Sequence, residues 1–531
     1  MGGSKLPDYI RALLSPDVYD HPVDDVDLVQ THISYVFLAG QYVYKVKKPV
    51  DMGFLDYSTL EKRRLCCEEE LRLNRRLCPD AYLEVVSIRL HDGQASLGGT
   101  EGDVVDYAVK MKRLPEDRMM ERLLRENLVT SDMLQRLTEK LVTFHQNAAT
   151  GGEIDSFGSI ETIRDNWREN LEQTRPYIGR TISDPQWQKT SAYVARFLGE
   201  NQWLFEQRIG EGRIRDCHGD LRTNAVCFEN GICVFDCIEF NERFRYGDVA
   251  SELAFLAMDV DFRGRRDLSD EMVGLYLTQS VDTTLPLLLH FYKCYRAFVR
   301  GKVDGFQIDQ SEVPEKQRQE AAVVARAYFK LVEEYANDQL APVLLIMIGV
   351  TGSGKSYLAN ALAGRLGAAV ISSDVTRKRL AGIHPSKSQI EPIDAGIYSQ
   401  EMTEQTYGEM LNQAELFLER RFPVILDASY LRREHRQAAL SLTRRLGVQF
   451  LAIECHADES LVKERLRMRR SAVWNPSDGR LEVYRAQLER ADPVTELRKG
   501  ELLRIEGTLP LGEQLGRVKS FLRGQPASND R

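Results

Sequence analysis

No stretch of the sequence approaches the about 18 consecutive apolar residues that a membrane-spanning helix needs. The opening Met1-Gly2-Gly3-Ser4-Lys5 leads into no apolar segment of signal-peptide length, and with Lys5 it matches a myristoylation site poorly. Neither a secretory signal nor a membrane partner is expected. Paired C-x-x-C motifs are also missing. The cysteines number nine, an odd count, with Cys66 and Cys67 adjacent and Cys233 and Cys237 four apart. That pattern argues against a zinc ribbon or a disulfide framework and for reduced thiols in a cytoplasmic protein. Positive charge is not in excess. A net charge of −8 gives no general attraction to nucleic acid or anionic lipid, although local basic patches remain open. Internal repeats and low-complexity blocks are absent.

What is present suits a soluble globular chain. An apolar fraction of 43% can bury sizeable cores, and 531 residues hold about three domains' worth of sequence at ~150 residues each. Short strand-like runs occupy Val26–Leu38, Tyr42–Lys47, Tyr82–Leu90 and Val104–Met111. One helix lies among them, with Ser58 as candidate N-cap and Glu61 at the capping-box position. After Pro115 the pattern turns helical, including one helix over Gln186–Gln207 and one over Glu315–Asn337. Past Pro342, strands and helices alternate, which argues for a parallel sheet with helices on both faces. The expected domains are 1–310, an α+β domain; 311–341, a helical connector; and 342–525, an α/β domain.

The most specific motif stands at Gly349-Val350-Thr351-Gly352-Ser353-Gly354-Lys355-Ser356, after the apolar run Val343–Ile348 and before a helix-prone segment. This is a complete G-x-x-x-x-G-K-[ST] loop in its strand-to-helix setting. Glycines let backbone N–H groups turn toward phosphate oxygens, and the helix N-terminus adds its positive end. Lys355 is expected on the β/γ-phosphates and Ser356 on Mg²⁺, so Gly349, Thr351, Gly352, Ser353, Gly354, Lys355 and Ser356 are the candidate ATP-binding set.

In the first half, the order of residues suggests a second phosphoryl-transfer site. A strand lysine, Lys45 or Lys47, precedes a helix with Glu68-Glu69-Glu70, of which Glu69 or a neighbour would pair with the lysine. Next come Asp216-Cys217-His218-Gly219-Asp220-Leu221, then Val234-Phe235-Asp236, then Gly247-Asp248-Val249-Ala250. These residues resemble the aminoglycoside phosphotransferase and choline kinase group, relatives of protein kinases, over roughly 25–300. The resemblance implies a kinase-like fold, Asp220 as the catalytic-loop aspartate, Asp236 as a Mg²⁺ ligand and Asp248 as a structural brace. It also places 110–114 near an adenine hinge. Two features depart from the group. The metal-binding asparagine usually stands five residues after the aspartate, whereas here Ala225 holds that place and the asparagine is Asn224; Glu239 is an alternative ligand. Thr31–Ser34 fills the turn where a glycine-rich loop would sit. His145, beside Phe144, reads as a helix-packing residue rather than a ligand.

In the second half, Asp374 follows the second strand, where a carboxylate can orient or deprotonate an acceptor hydroxyl. Asp427 ends Val424-Ile425-Leu426 and suits a Walker-B-like Mg²⁺ role or a helix N-cap. The arginine-rich run Glu464–Arg470, with Arg469 and Arg470, precedes a loop and suits a lid over transferring phosphate. With Ser373–Lys378 and Leu426-Asp427-Ala428, these features resemble the P-loop kinases that include gluconate kinase, the polynucleotide kinase domain and zeta-toxin-like kinases. The whole chain resembles bacterial two-domain proteins that fuse an aminoglycoside phosphotransferase-like domain to a P-loop kinase.

The resulting expectation is an ATP- and Mg²⁺-dependent phosphotransferase with two kinase-type modules and a small-molecule hydroxyl acceptor. The alternatives are an N-terminal half that only binds or regulates, a nucleotide switch that recruits a partner, and a polynucleotide 5′-hydroxyl kinase using the basic patch near 463–470.

Overall fold

A computed structural model describes residues 6–229, 231–311, 313–385, 387, 395–470 and 480–524, without the side chains of 468–470. The chain divides into two compact units. One comprises Met1–Ser183, Leu198–Asp259 and Val299–Ala327, and the other Asp184–Phe197, Val260–Phe298 and Tyr328–Arg531. The units interleave along the chain, in contrast to a division at 310 and 342. Among the described residues, no helix is long and apolar enough to cross a membrane.

The first unit is built on a six-stranded antiparallel sheet: β1 (Val26–Gln30), β2 (Ser34–Ala39), β3 (Tyr42–Lys47), β4 (Tyr82–His91), β5 (Gln94–Leu97) and β6 (Asp103–Lys112), in the order β1-β2-β3-β6-β4-β5. Gly40 turns β2 into β3 at φ 56°, a left-handed conformation that glycine adopts without penalty. Alternate residues Phe37 and Ala39, and Tyr44 and Val46, enter one apolar core with Ile88 and Ala108. The single helix among these strands is Leu60–Asn74. Its N-cap is Thr59, whose hydroxyl accepts the Lys62 N–H, and not Ser58, which is held by Asp56 instead. Short strands follow: β7 (Ile214–Asp216), β8 (Val226–Cys227), β9 (Cys233–Val234) and β10 (Tyr246–Asp248), paired β7 with β10 and β8 with β9. The helix expected over 186–207 is two, Asp184–Glu200 and Gln202–Gly210, broken at Asn201.

One expectation about the cysteines is corrected. Cys78 and Cys233, 155 residues apart, form a disulfide, while the other seven are free thiols. Spacing along the chain carried no sign of it, because folding alone brings the two Cα atoms to 4.7 Å.

The second unit holds a five-stranded parallel sheet: β11 (Val343–Ile348), β12 (Ala369–Ser372), β13 (Val424–Asp427), β14 (Gln449–His456) and β15 (Leu502–Glu506). Their order is β12-β13-β11-β14-β15. Every residue of β11 is buried, as a central strand covered on both faces requires. Helices Lys355–Leu366, Ser373–Leu380, Gln400–Glu419 and Arg433–Leu446 connect the strands. The fold class expected from the sequence is thus observed: an α+β unit on an antiparallel sheet, and an α/β unit on a parallel one that carries the P-loop.

Candidate functional sites

In the first unit the site grows from one helix face. Arg63, Cys67, Glu70 and Asn74 are buried in Leu60–Asn74 at a 4-3-4 spacing, which aligns them on one side. Buried polar groups need partners, and here they reach across the fold. Arg63 Nε donates to Asp106 at 2.8 Å, and Asn74 Oδ1 accepts the Cys237 N–H at 2.9 Å. Glu70 meets both strand lysines. Lys45 Nζ donates to its Oε1 at 2.9 Å, and Lys47 Nζ to its Oε2 at 2.8 Å. Lys45 also donates to Asp236 at 2.7 Å, whereas Lys47 turns to Glu239, which accepts the Tyr57 hydroxyl at 2.6 Å.

This geometry separates the two lysines. Lys47 is 1% exposed, and Lys45 alone bridges to the 57% exposed Asp236. It also corrects the glutamate. Glu69 pairs with Arg72 at 2.6 Å on the outer face, and Glu70 is the partner of Lys45. Burial would lower the Lys45 pKa, but Asp236 and Glu70 outweigh it and hold the ammonium well above its ordinary value. Lys45 in turn pulls the Asp236 carboxyl down to about 2. Asp236 takes a φ of 64°, a left-handed backbone held by its own N–H to the Tyr82 hydroxyl at 3.2 Å.

The His218-Gly219-Asp220 loop is fixed from below. Glu252 accepts the His218 N–H at 2.6 Å and the Gly219 N–H at 3.1 Å, and Asp259 accepts the Thr223 N–H at 3.0 Å. Asp248 is fully buried against Arg208 through two bonds of 2.9 and 2.6 Å. Asp220 itself is engaged: Arg222 donates to both of its oxygens at 2.8 Å. Asn224 lies exposed in the 3₁₀ turn Thr223–Ala225. His145 is buried in helix Ser131–Asn147. The turn before β2 is closed on itself, since Thr31 Oγ1 accepts the N–H groups of Ile33 at 3.3 Å and Ser34 at 2.9 Å. Those amides are not turned toward a phosphate.

In the second unit the site lies at the C-terminal ends of parallel strands, where open α/β sheets place ligands. The loop Gly349–Ser356 leaves central β11. Asp427 ends neighbouring β13, and the register pairs it with Ser372 at the end of β12, two residues before Asp374. Helix Arg433–Leu446 is capped at Arg432, so Asp427 is no helix N-cap. Gly349, Gly352 and Gly354 have φ of 145°, 82° and 99°. A Cβ on Gly349 would meet Ser353 Oγ and the Cys455 carbonyl at 2.8 Å, and one on Gly352 would meet Val462 at 2.8 Å. The loop is therefore a cradle that only glycine permits. Inside it, Ser353 Oγ is buried without a hydrogen-bond partner among the described residues. A cradle of this shape, with Lys355 and Ser356 opening the helix, fits a nucleotide's phosphates and their Mg²⁺.

Residues outside the motifs, Gln487, Gly507, Ile397 and Thr403, also join these contacts. Gln487 Oε1 accepts the Thr351 N–H at 2.6 Å, and Lys355 Nζ donates to the Val350 carbonyl at 2.7 Å. Arg465 donates to the carbonyls of Gly352 at 3.4 Å and Gly507 at 2.8 Å. Arg377, next to Asp374, donates to the Ile397 carbonyl at 2.8 Å and the Thr403 hydroxyl at 3.1 Å. The side chains of Arg469 and Arg470, and the loop 471–479, lie outside the described residues.

The AAA domain family model matches residues 344–494, which contain the loop, Asp374 and Asp427. Among solved structures, the chain is similar to a gluconokinase from Sinorhizobium meliloti 1021, with 23% identity, 35% of this chain and 94% of that one covered, and a TM-score of 0.25. It is also similar to a choline/ethanolamine kinase family protein from Mesorhizobium loti, with 12% identity, 60% and 93% covered, and a TM-score of 0.36. A third is the Mycobacterium tuberculosis APS kinase CysC in complex with AMPPNP and APS, with 19% identity, 35% and 99% covered, and a TM-score of 0.26. Two curated relatives are far more extensive matches: uncharacterized proteins Rv2004c of Mycobacterium tuberculosis (strain ATCC 25618 / H37Rv) and Mb2027c of Mycobacterium bovis. Each is 32% identical over 475 residues, covering 88% of this chain and 91% of the relative. At that identity and coverage, the chain belongs to the family of these mycobacterial proteins.

Proposed function

We propose that the chain is an ATP-dependent phosphotransferase whose working site is the P-loop unit. One observation carries this reading: a glycine-only phosphate cradle after β11, with Asp427 ending the neighbouring strand β13 and Asp374 in the first turn of the helix after β12. Backbone N–H groups of the loop and Lys355 hold the β- and γ-phosphates. Asp374 orients an acceptor hydroxyl and takes up its proton as the oxygen attacks. Ser356 and Asp427 would hold Mg²⁺, which supplies charge neutralisation on the phosphates. Arg465 is placed at the cradle to counter charge as the phosphoryl group moves, and Arg469 and Arg470 extend the same helix. With a net charge of −8, a small-molecule acceptor ranks ahead of a nucleic acid.

The first unit supports a second reading of its own role, as a binding or regulatory module. Its Lys45–Glu70–Asp236 set is assembled, but Asp220 is tied to Arg222, and the Ile33 and Ser34 amides of the Thr31–Ser34 turn are taken by the Thr31 hydroxyl.

The test is a metabolite screen with the full chain and ATP, read by the mass shift of an added phosphate. Lys355→Ala is expected to abolish transfer. Asp374→Asn should cut it about 100-fold or more while ATP still binds. ATP-dependent transfer that survives Lys355→Ala would overturn the proposal. Asp220→Ala and Asp236→Ala should leave that transfer unchanged if the first unit is not catalytic.

A further inference from the structure

The helix that opens with Lys355 and Ser356 has a dedicated brace. Helix Arg266–Ser280, of the same compact unit, packs along it at very short range. A Cβ on Gly274 would stand 2.9 Å from the Ala361 backbone nitrogen, and one on Gly364 would stand 2.5 Å from Val273 Cγ1. Two backbones approach this closely only where glycine and alanine line the seam. Side chains then fix the contact along its length. Tyr357 OH donates to Glu271 Oε1 at 2.9 Å, Asn360 Nδ2 to Thr278 Oγ1 at 2.9 Å, and Arg365 Nη1 to Asp270 Oδ2 at 2.6 Å. Residues 357, 361 and 364 follow the 4-3 spacing of one helix face, with Asn360 beside them. The brace therefore fixes both the rotation and the axial position of the P-loop helix.

The first of these bonds has the most direct consequence. Tyr357 follows Ser356 without a gap, so the Tyr357–Glu271 bond anchors the turn that presents both Lys355 and Ser356. Glu271 is itself buried, so its carboxylate is held in place.

Resting on the phosphotransferase reading of this unit, we infer that Glu271 and Tyr357 are positioning residues for the nucleotide site. They act through the first turn of the P-loop helix, and helix Arg266–Ser280 is a working part of that site. No residue of this helix touches the phosphates in this account. Its role is to keep the Ser356 hydroxyl where a nucleotide-bound Mg²⁺ needs it.

The experiment uses the full chain and AMPPNP, titrated calorimetrically with and without Mg²⁺, beside a melting curve for each variant. Lys355→Ala defines the binding that belongs to this site. Tyr357→Phe and Glu271→Gln are each expected to reduce the Mg²⁺ enhancement of that binding about 3- to 10-fold, as the loss of one ordinary hydrogen bond would. The double variant should be no weaker than either single one, because both remove the same bond. Gly274→Leu should weaken binding further by forcing the seam apart. Unchanged Mg²⁺ enhancement in Tyr357→Phe and Glu271→Gln, even with lowered melting temperatures, would make the contact merely structural and overturn the inference. AMPPNP binding that is undiminished in Lys355→Ala would instead overturn the phosphotransferase reading beneath it.

Discussion

The turn Thr31–Ser34, between β1 and β2, and the loop Gly349–Ser356, after β11, differ in backbone conformation. In the first, the Thr31 hydroxyl accepts the N–H groups of Ile33 and Ser34. In the second, three glycines at positive φ open a cradle with a buried serine hydroxyl inside it. The carboxylates differ in their setting too. In the first unit Glu70, Asp236 and Glu239 are already knitted to Lys45 and Lys47. In the second, Asp427 ends β13 and Asp374 stands in the first turn of the helix after β12. One unit has invested in a rigid charge network and the other in a phosphate seat.

Three experiments bear on this comparison, in order of expected effect. Glu70→Ala would leave Lys45 and the buried Lys47 without their common partner and should destabilise the first unit by about 3–5 kcal/mol in denaturant unfolding. A loss below about 1 kcal/mol would break the picture of a rigid network, since a dispensable surface pair costs no more than that.

The second is pH. Burial, then Arg215 and Arg76, push His145 down to about 3 from an ordinary 6.5. A histidine kept neutral in the fold but protonated once unfolded costs stability as pH falls below 6.5, and continues to do so until about 3. At pH 5 the first unit should have lost about 2 kcal/mol relative to pH 7.5. His145→Gln should flatten that slope; an unchanged slope would remove His145 from the account.

The smallest effect is expected from Thr31→Ala, which frees two amides at the turn. It should cost about 1 kcal/mol and bring no gain in AMPPNP binding by the first unit. A tighter nucleotide complex would show that the turn is a masked phosphate seat and collapse the contrast with Gly349–Ser356.

The sequence by itself determined the P-loop, its flanking strand and helix, and the carboxylates at Asp374 and Asp427. These are local matters. Eight contiguous residues set the backbone angles of a phosphate cradle, and the end of an apolar run marks the edge of a buried parallel strand. The sheets and most helices were legible for the same reason, because hydrophobic periodicity is written residue by residue. What only the tertiary structure decided is who meets whom. Lys45 reaches Glu70 across 25 residues and Asp236 across 191, and nothing in the three adjacent glutamates distinguished Glu70 from Glu69 except which one the helix turns inward. A sharper reading of the buried stripe Arg63, Cys67, Glu70 and Asn74 would have carried that signal. The disulfide between Cys78 and Cys233 and the Tyr357–Glu271 anchor had no comparable local signature. Each depends on two elements arriving at one place, and that is settled by how whole faces pack.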